Sequence, residues 1–505
     1  MENAIVVGLD IGTTKTACLI GKKAANGKID ILGYAIDKSV GMEKGDVINI
    51  VDTAKTISDV VRRASEQANV KVNDVYVGIA GRHIKSYSSQ GQKILPPDRD
   101  IVTQEDIDTL CNEQRTIATG PGEEIIHVFP QTYYIDGREL DKGIHPVGVT
   151  GSRLNIDFHI VTGNKINIGN IVKSVKSAEL SIKGLVLEPV ASSLATLSQR
   201  EKDAGVVLVD IGGGTTDIAI FHEGVIRHTS VLALAGEVIT SDIERTCGLL
   251  KDQAENLKVK FGHCLESAVS DNESVSIPSY RGIQQRNVSM KMLARIINVR
   301  VSDIMGLVAY EIQKSGYDPK MLHSGLVLTG GGSSMADIKA VAELNTAMNT
   351  RIGEPIDHLA DGYSDELKHP KYATGIGLVL YGLNEAAASN NHYIEEEKTP
   401  EVPETTATPD PEPLPPTNPE PPVINPVNGK DPFAALKGMG EPPMPPTPPE
   451  LKPYVLEPEL ASELESELEP KPVPEPEPAP EKGSKDPWYR KVGVWFGKFL
   501  EESDD

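Results

Sequence analysis

Three glycine-rich turns, each closing a run of apolar residues, hold the groups in this sequence best suited to phosphate chemistry. The first is GLDIGTTKTACLI, residues 8–20. Asp10 ends the apolar run there, and Gly12, Thr13, Thr14 and Lys15 follow. A tight turn of this composition presents backbone N–H groups and two hydroxyls to an anion, and Lys15 adds a point charge. The second, VDIGGGTTDIAIF at 209–221, repeats the design with Asp210, then Gly212, Gly213, Gly214, Thr215 and Thr216. The third, LVLTGGGSSM at 326–335, runs through Gly330, Gly331, Gly332 and Ser333 towards a helix. A lone glycine-rich hairpin is ordinarily just a turn. Two D-I-G turns about 200 residues apart, with a strand–TGGG besides, are far more specific. They predict an internal duplication, with two similar domains facing each other across a cleft and nucleotide phosphates between the hairpins. Asp10 and Asp210, at equivalent strand ends, are suited to hold a hydrated Mg²⁺ directly or through water. Neither a G-x-x-x-x-G-K-[ST] nor a G-x-G-x-x-G occurs, so neither a P-loop nor a dinucleotide fingerprint is present.

Such turns need regular elements behind them, and residues 1–385 supply an alternation of both kinds. Strand-like runs fall at 5–12, 17–23, 29–36 and 75–81, with a helix-like run at 52–69 before the last. The pattern continues through 184–190, 206–221 and 222–234. A long helical stretch near 238–261 and another at 289–315 then precede the strand that leads into TGGG. Strands alternating with helices predict an α/β fold with parallel sheets.

This combination resembles the ATPase superfamily of actin, hexokinase and DnaK across nearly all of 1–385. The resemblance implies a two-domain actin-like ATPase fold that binds ATP and Mg²⁺. EPVASSLATL (188–197) and YATGIGLVLYGL (372–383) look like the two connecting helices. Glu188 would then orient the water attacking the γ-phosphate, with Asp10 and Asp210 beside it as catalytic and metal-holding groups. As a residue type alone, Glu188 is a helix-start carboxylate next to Pro189, favoured by the helix dipole. Within AENLKVKFG (254–262), Glu255 and Lys258 resemble ribose and adenine contacts; otherwise they are an ordinary helical pair three residues apart.

The position of an insertion narrows the family. Strand 29–36 is followed by a helix after only about fifteen residues, too few for the subdomain that actin carries there. About 80 residues, 83–163, follow VYVGIAG instead. GIAGRHIKSYSSQG with this displaced insertion is similar to the bacterial FtsA division family, whose pilus-assembly relative PilM shares the architecture. The FtsA pattern implies subdomain 1A at 1–82 and 164–195, 1C at 83–163, 2A at 196–226 and 305–390, and 2B at 227–304.

Beyond the body the composition changes. Of the 37 prolines, 27 lie between Pro400 and Pro487, and residues 395–481 hold 20 acidic against 5 basic side chains. Such a segment buries too little apolar surface to offset chain entropy, so 391–484 reads as a disordered, Pro/Glu-rich linker. Its one apolar patch, DPFAALKGMG at 431–440, reads as a docking motif or as chance composition. Most of the net charge of −23 belongs to this linker, and the body keeps only −8. That excludes general nucleic-acid binding, which needs a basic footprint. Four scattered cysteines exclude a disulfide scaffold and a Cys-rich metal site. The opening MENAIVVGLD has no basic n-region, and no apolar run reaches the roughly 18–20 residues of a membrane span, so a cytoplasmic protein is expected.

Residues 485–501 break the linker's pattern. At about 100° per residue, Trp488, Val492, Trp495, Phe496 and Phe499 share an arc of about 100°, with Arg490, Lys491 and Lys498 off it. Trp and Phe opposed by Lys and Arg predict an amphipathic helix lying on an anionic membrane surface, or else one docked on protein. FtsA-family proteins end in such a helix, and PilM-like proteins as a rule do not. A further stretch, YRGIQQRNVSMKMLARIINVR at 280–300, carries Arg286, Lys291, Arg295 and Arg300 without one acidic residue. It predicts a local positive surface. By resemblance that surface lies in 2B, where the family binds the acidic and apolar C-terminal peptide of FtsZ.

The family resemblance implies an adaptor that polymerises and anchors FtsZ to the cytoplasmic face of the inner membrane at the division site. Other division proteins would be further partners, and ATP hydrolysis would be slow at most. The alternatives are a PilM-like pilus adaptor and another actin-superfamily ATPase or kinase; for a kinase no acidic base beside a substrate pocket is evident. A chaperone ATPase needs a β-rich domain after residue 385, which the Pro-rich run excludes.

Overall fold

The computed structural model describes residues 4–396 except 142–143 and 278–285. The 431–440 segment, the terminal helix at 485–501 and all of the expected linker beyond Glu396 lie outside the described residues.

The first domain opens with the hairpin β1 (Ile5–Ile11) and β2 (Lys15–Lys23), then β3 (Ile29–Lys38), α1 (Ile50–Ala68) and β4 (Asp74–Ile79). An inserted unit follows, built from β5 (Lys85–Ile94), α2 (Gln104–Gln114), β6 (Glu123–Ile135) and β7 (Arg153–Asn164). The chain then returns through α3 (Lys165–Ser177), β8 (Ser181–Leu187) and α4 (Glu188–Thr196). The sheet runs β8-β4-β1-β2-β3, with β1 antiparallel to β2 and parallel to β4. The near-continuous apolar run of β1 follows from having both faces covered. Val7, Leu9 and Ile11 face α1 and α3, while Val6 faces the opposite layer, as a period of two requires.

The second domain repeats the plan. Strands β9 (Val206–Ile211), β10 (Thr216–His222) and β11 (Val225–Leu232) precede α5 (Gly236–Cys247) and α6 (Lys251–Phe261). A small ribbon of β12 (Ser274–Ile277) and β13 (Arg286–Ser289) leads into α7 (Met290–Lys314). Then come β14 (Leu326–Thr329), α8 (Ile338–Thr346), β15 (Thr350–Ile352) and α9 (Ala373–Glu396). The order β11-β10-β9-β14-β15 matches β3-β2-β1-β4-β8 strand for strand. The registers match too: Asp10 lies opposite Ala17 and Asp210 opposite Asp217. The expected duplication is therefore a duplication of topology, although little sequence outside the hairpins shows it.

Three expectations are corrected. The helical stretch near 238–261 is two helices, because Gly248 takes the left-handed conformation (φ +61°) and ends α5. The second connector, expected with 2A, packs on the first domain. The outer face of the first sheet, with Val6, Leu19 and Tyr76, is covered by α4 together with Ile376, Leu378 and Val379 of α9. Helix α9 also continues to Glu396, so the first six residues assigned to the linker are helical.

The inserted unit has its own sheet, β5-β7-β6 plus the short strand Arg138–Glu139, and its own core around Leu110, Leu154, Ile156, Phe158 and Ile160. It reaches the second domain at β11. Gln131 Nε2 donates to Ile226 O at 2.7 Å, Ser86 Oγ to Thr229 O at 3.0 Å, and His159 Nε2 lies 2.9 Å from Thr229 Oγ1. Among the described residues no helix is long and apolar enough to cross a membrane.

The connectors α4 and α9 cross at a glycine. A Cβ on Gly377 would overlap the carbonyl oxygen of Ala191. Gly377→Val is therefore expected to cost about 3 kcal/mol, at the upper end of overpacking, because backbone rather than a side chain must give way. Urea unfolding of the nucleotide-free protein measures this; a loss under about 1 kcal/mol would mean that the helices part easily.

Candidate functional site

Both hairpins close with the same bond. Gly12 N–H donates to Lys15 O at 3.0 Å, and Gly212 N–H donates to Thr215 O at 2.9 Å. The tips meet: a Cβ on Gly213 would collide with Thr14, and one on Gly214 with Thr13, so this approach needs glycine at both positions. Behind them Gly330, at φ +81°, lies so close that a Cβ would strike the Asp210 carboxylate. Helix α5 starts at the second tip, where Gly236 and Glu237 N–H donate to Gly212 O and Gly213 O at 3.1 and 2.8 Å.

These elements enclose a cavity of about 480 Å³. Of the residues expected from sequence, Asp10, Gly12, Thr13, Thr14, Lys15, Glu188, Asp210, Gly212, Gly213, Gly214, Thr215, Glu255, Lys258, Gly330, Gly331 and Gly332 line it. Thr216 and Ser333 do not. Thr216 opens β10, so strand alternation turns it away, and its hydroxyl donates to Leu234 O at 2.7 Å. Ser333 is buried and donates to Gly330 O at 2.7 Å, which holds the turn; its neighbour Ser334 lines the cavity instead. On the wall formed by α6, the Lys258 ammonium donates to Gly236 O at 2.9 Å, Thr240 Oγ1 at 2.8 Å and Glu255 Oε2 at 2.7 Å. The expected pair is thus real and is built into the second hairpin's support.

The electrostatics are dominated by carboxylates. Asp10, Glu188, Asp210 and Asp217 share the cavity, and the Lys15 ammonium there pairs with Asp10. Burial by itself would lower the Lys15 pKa, but Asp10, and then Asp210 and Glu188, outweigh it and the net shift is upward. Burial raises Glu188 well above the ordinary range, and Asp10, Asp217 and Asp210 push the same way. Asp217 is likewise raised well above its usual value, by burial and then by Asp210. Asp210 is raised chiefly by burial, against a hydrogen bond from Ser192.

Sequence reasoning missed four positions that hold this arrangement. Ser192 on α4 and Thr374 on α9 both donate to Asp210 Oδ2, so one carboxylate pins both connectors. Asp217 accepts from Thr215 Oγ1 at 3.0 Å on one oxygen, while its buried Oδ1 has no hydrogen-bond partner. His127 Nε2 accepts from Leu187 N–H at 3.0 Å and so fixes the strand end before Glu188; burial pushes its pKa down to about 4, which keeps that nitrogen an acceptor. The strand register places Asp217 beside Asp210 and was a usable signal. The other three lie too far off in sequence to have left one.

Among the described residues no three His, Cys, Asp or Glu side chains converge on a metal position. The unpartnered Asp217 oxygen and the surplus of carboxylates nevertheless suit a hard cation. Mg²⁺ commonly rests on one or two carboxylates, with water and phosphate oxygens completing its shell.

The model of the FtsA family, cell division protein FtsA, matches residues 207–377, and that of the SHS2 domain inserted in FtsA matches 81–162. The cell division protein FtsA of Pseudomonas aeruginosa is 36% identical over 379 residues, 75% of this chain and 89% of that protein. The chain belongs to the FtsA family. The FtsA of Neisseria meningitidis is 38% identical over 372 residues, 74% of this chain and 88% of the other. A chain of the PilM–PilN type IV pilus biogenesis complex superposes with a TM-score of 0.54 at 16% identity, covering 75% of this chain and 98% of that one. That likeness shows a common fold. FtsA membership makes this a cell-division protein with an actin-like ATPase fold and an SHS2 domain as its insertion.

Of the basic stretch at 280–300, expected in FtsA subdomain 2B, the described residues 286–300 do not form a free positive surface. Arg286 donates to the carbonyls of Cys247 and Gly248 at 2.8 and 2.6 Å. Lys291 pairs with Asp271, Arg295 with Glu266 at 2.7 Å, and Arg300 with Asp242 at 2.7 Å. Asp271, Glu266 and Asp242 come from other parts of the chain, which a local charge count cannot see; Asp303, 3.1 Å from Arg300, lies on α7 just past the stretch.

Proposed function

We propose that this FtsA-family chain binds ATP with Mg²⁺ between its two hairpins, assembles into actin-like filaments and holds FtsZ to the cytoplasmic face of the inner membrane. The observation that carries the nucleotide reading is the convergence of two equivalent D-I-G hairpins and a TGGG turn on one cavity. The hairpin N–H groups, the hydroxyls of Thr13 and Thr14, and Lys15 would receive phosphate oxygens. Asp10 and Asp210 would hold the Mg²⁺, which when bound neutralises and polarises the phosphoryl oxygens. Glu255 and Lys258 would face the nucleoside. Glu188 would orient a water, but its surroundings favour the neutral form. Slow hydrolysis would suit a nucleotide state used as a switch rather than for turnover.

Helix α7 supports the FtsZ reading. Met292 and Val299 are exposed on either side of the Arg295–Glu266 pair, apolar positions that suit the apolar side chains of such a peptide. The membrane reading rests on the sequence spacing of Trp488, Val492, Trp495, Phe496 and Phe499, which would share one face of a helix with Arg490, Lys491 and Lys498 off it. A single short helix of this kind binds weakly and reversibly; many on one filament bind avidly. In this reading 1–82 and 164–195 serve as 1A, 83–163 as 1C and 227–304 as 2B, while 397–484 would space the filament from the membrane.

The test is co-sedimentation with anionic liposomes, comparing the full chain with a truncation after residue 484, in ATP, with and without FtsZ. The full chain is expected to pellet and to carry FtsZ with it, and the truncation to stay soluble. If both stay soluble, the membrane role fails. Calorimetric titration with Mg-ATP tests the cavity separately, and an absence of heat there would remove the nucleotide reading.

A further inference from the structure

The loop Lys44–Asp46 lies between the first hairpin and the root of the inserted SHS2 domain, and it touches both. Gly45 N–H donates to Thr13 Oγ1 at the hairpin tip, at 2.8 Å. The next residue, Asp46, receives His83 Nδ1 at 3.1 Å and also Asn167 Nδ2 on the same oxygen. His83 lies two residues before β5, where the chain leaves for the insertion, and Asn167 sits in the first turn of α3, where it returns. One carboxylate therefore grips both chain crossings. Arg82 adds a longer contact, 3.5 Å to the other oxygen. Burial would raise the Asp46 carboxyl, but the bonds from His83 and Asn167 outweigh it and keep the group ionised.

The loop has no room to absorb movement. Lys44 and Gly45 both have positive φ, +50° and +83°. A Cβ on Gly45 would come within 2.8 Å of Gly81 Cα, and within 3.2 Å of Thr215 Cγ2 on the second hairpin. The loop is thus wedged against both phosphate turns and against the strand end that opens into the insertion.

We infer that Lys44–Asp46 is a joint through which occupancy of the phosphate hairpins is transmitted to the SHS2 insertion, with Asp46 as the connecting residue. This rests on the nucleotide reading proposed above. The physical step lies at Thr13. Its oxygen accepts from Gly45, which leaves its proton for a phosphate, and a hydroxyl that donates to an anion becomes a stronger acceptor. A bound phosphate therefore tightens the Gly45 bond and pulls the loop, and Asp46 carries that displacement to His83 and Asn167 together. The coupling runs through a continuous chain of hydrogen bonds about one stiff loop, which gives it a physical path rather than mere proximity.

Amide hydrogen exchange on the full-length protein, with and without saturating Mg-ATP, tests the joint. In the unmodified protein, ATP is expected to slow exchange across 83–94 and 153–167 by about threefold or more. Asp46→Ala is expected to bind ATP within about threefold of the unmodified protein while losing that difference. Asn167→Ala keeps the carboxylate, so it should retain the change at 83–94 and lose it at 153–167; it also guards against a fold defect in the first variant. Calorimetric ATP binding with no exchange change in the insertion overturns the joint alone, and so does an undiminished change in Asp46→Ala. An absence of ATP binding in the unmodified protein overturns the nucleotide reading and the joint with it.

Discussion

Lys15→Met lowers affinity for Mg-ATP on the order of 100-fold, the loss expected when a charge-assisted contact to phosphate disappears. It also destabilises the nucleotide-free protein by about 3 kcal/mol, because removing one partner strands the other charge in a buried setting. Lys15 is the ammonium that pairs with Asp10, a carboxylate only 2% exposed. Its raised pKa keeps it charged throughout the neutral range, so the effect on binding should be flat between pH 6 and 8. The second hairpin offers no substitute: the position equivalent to Lys15 is Thr215, whose hydroxyl is already given to Asp217. Calorimetry with Mg-ATP and urea unfolding measure the two effects separately. Retained affinity in the variant would place the phosphates away from the first hairpin.

The hairpins were legible in the sequence because everything that makes them is local. An aspartate at a strand end, a glycine turn and hydroxyls fall within six residues, and the alternation of a strand fixes which way each one points. The duplication was legible for the same reason, and the displaced insertion was legible as a gap in the element pattern. What was lost is long-range. Ser192 and Thr374 lie 18 and 164 residues from the Asp210 carboxylate they hold. Asp271, Glu266 and Asp242, which pair with Lys291, Arg295 and Arg300, sit on other parts of the chain, and Asp303 lies just past the stretch, so a run with no acidic residue of its own became a paired surface over its described residues. Thr216 was an avoidable error: it is the first strand residue, so alternation sends it inward while Asp217 joins Asp210. The packing of α9 on the first domain was hidden because chain order suggests the nearer domain, whereas the uncovered face of the first sheet decides the matter.

Glu188→Gln is expected to make the nucleotide-free protein more stable while slowing ATP hydrolysis about 100-fold or more. Glu188 is held with Asp10, Asp210 and Asp217 in one cavity, and its folded pKa lies well above that of the unfolded chain. A carboxyl shifted in this direction retains its proton on folding, so the folded state binds more protons than the unfolded state between the two pKa values. Stability therefore falls as pH rises from the ordinary carboxylate range through the folded pKa. Glutamine keeps the shape without the ionisation and removes this contribution to the slope. The gain at pH 8 should be roughly 1–2 kcal/mol, and at pH 4 it should nearly vanish. Asp217 is raised in the same way, so some slope remains in the variant. Thermal unfolding without nucleotide or Mg²⁺, at both pH values, measures the gain, and single-turnover hydrolysis measures the loss. Bound Mg²⁺ should shrink the gain, because a cation among these carboxylates relieves the repulsion that glutamine would otherwise remove. A variant that loses stability at pH 8 would mean that Glu188 is held ionised by Lys15 rather than neutral by its neighbours.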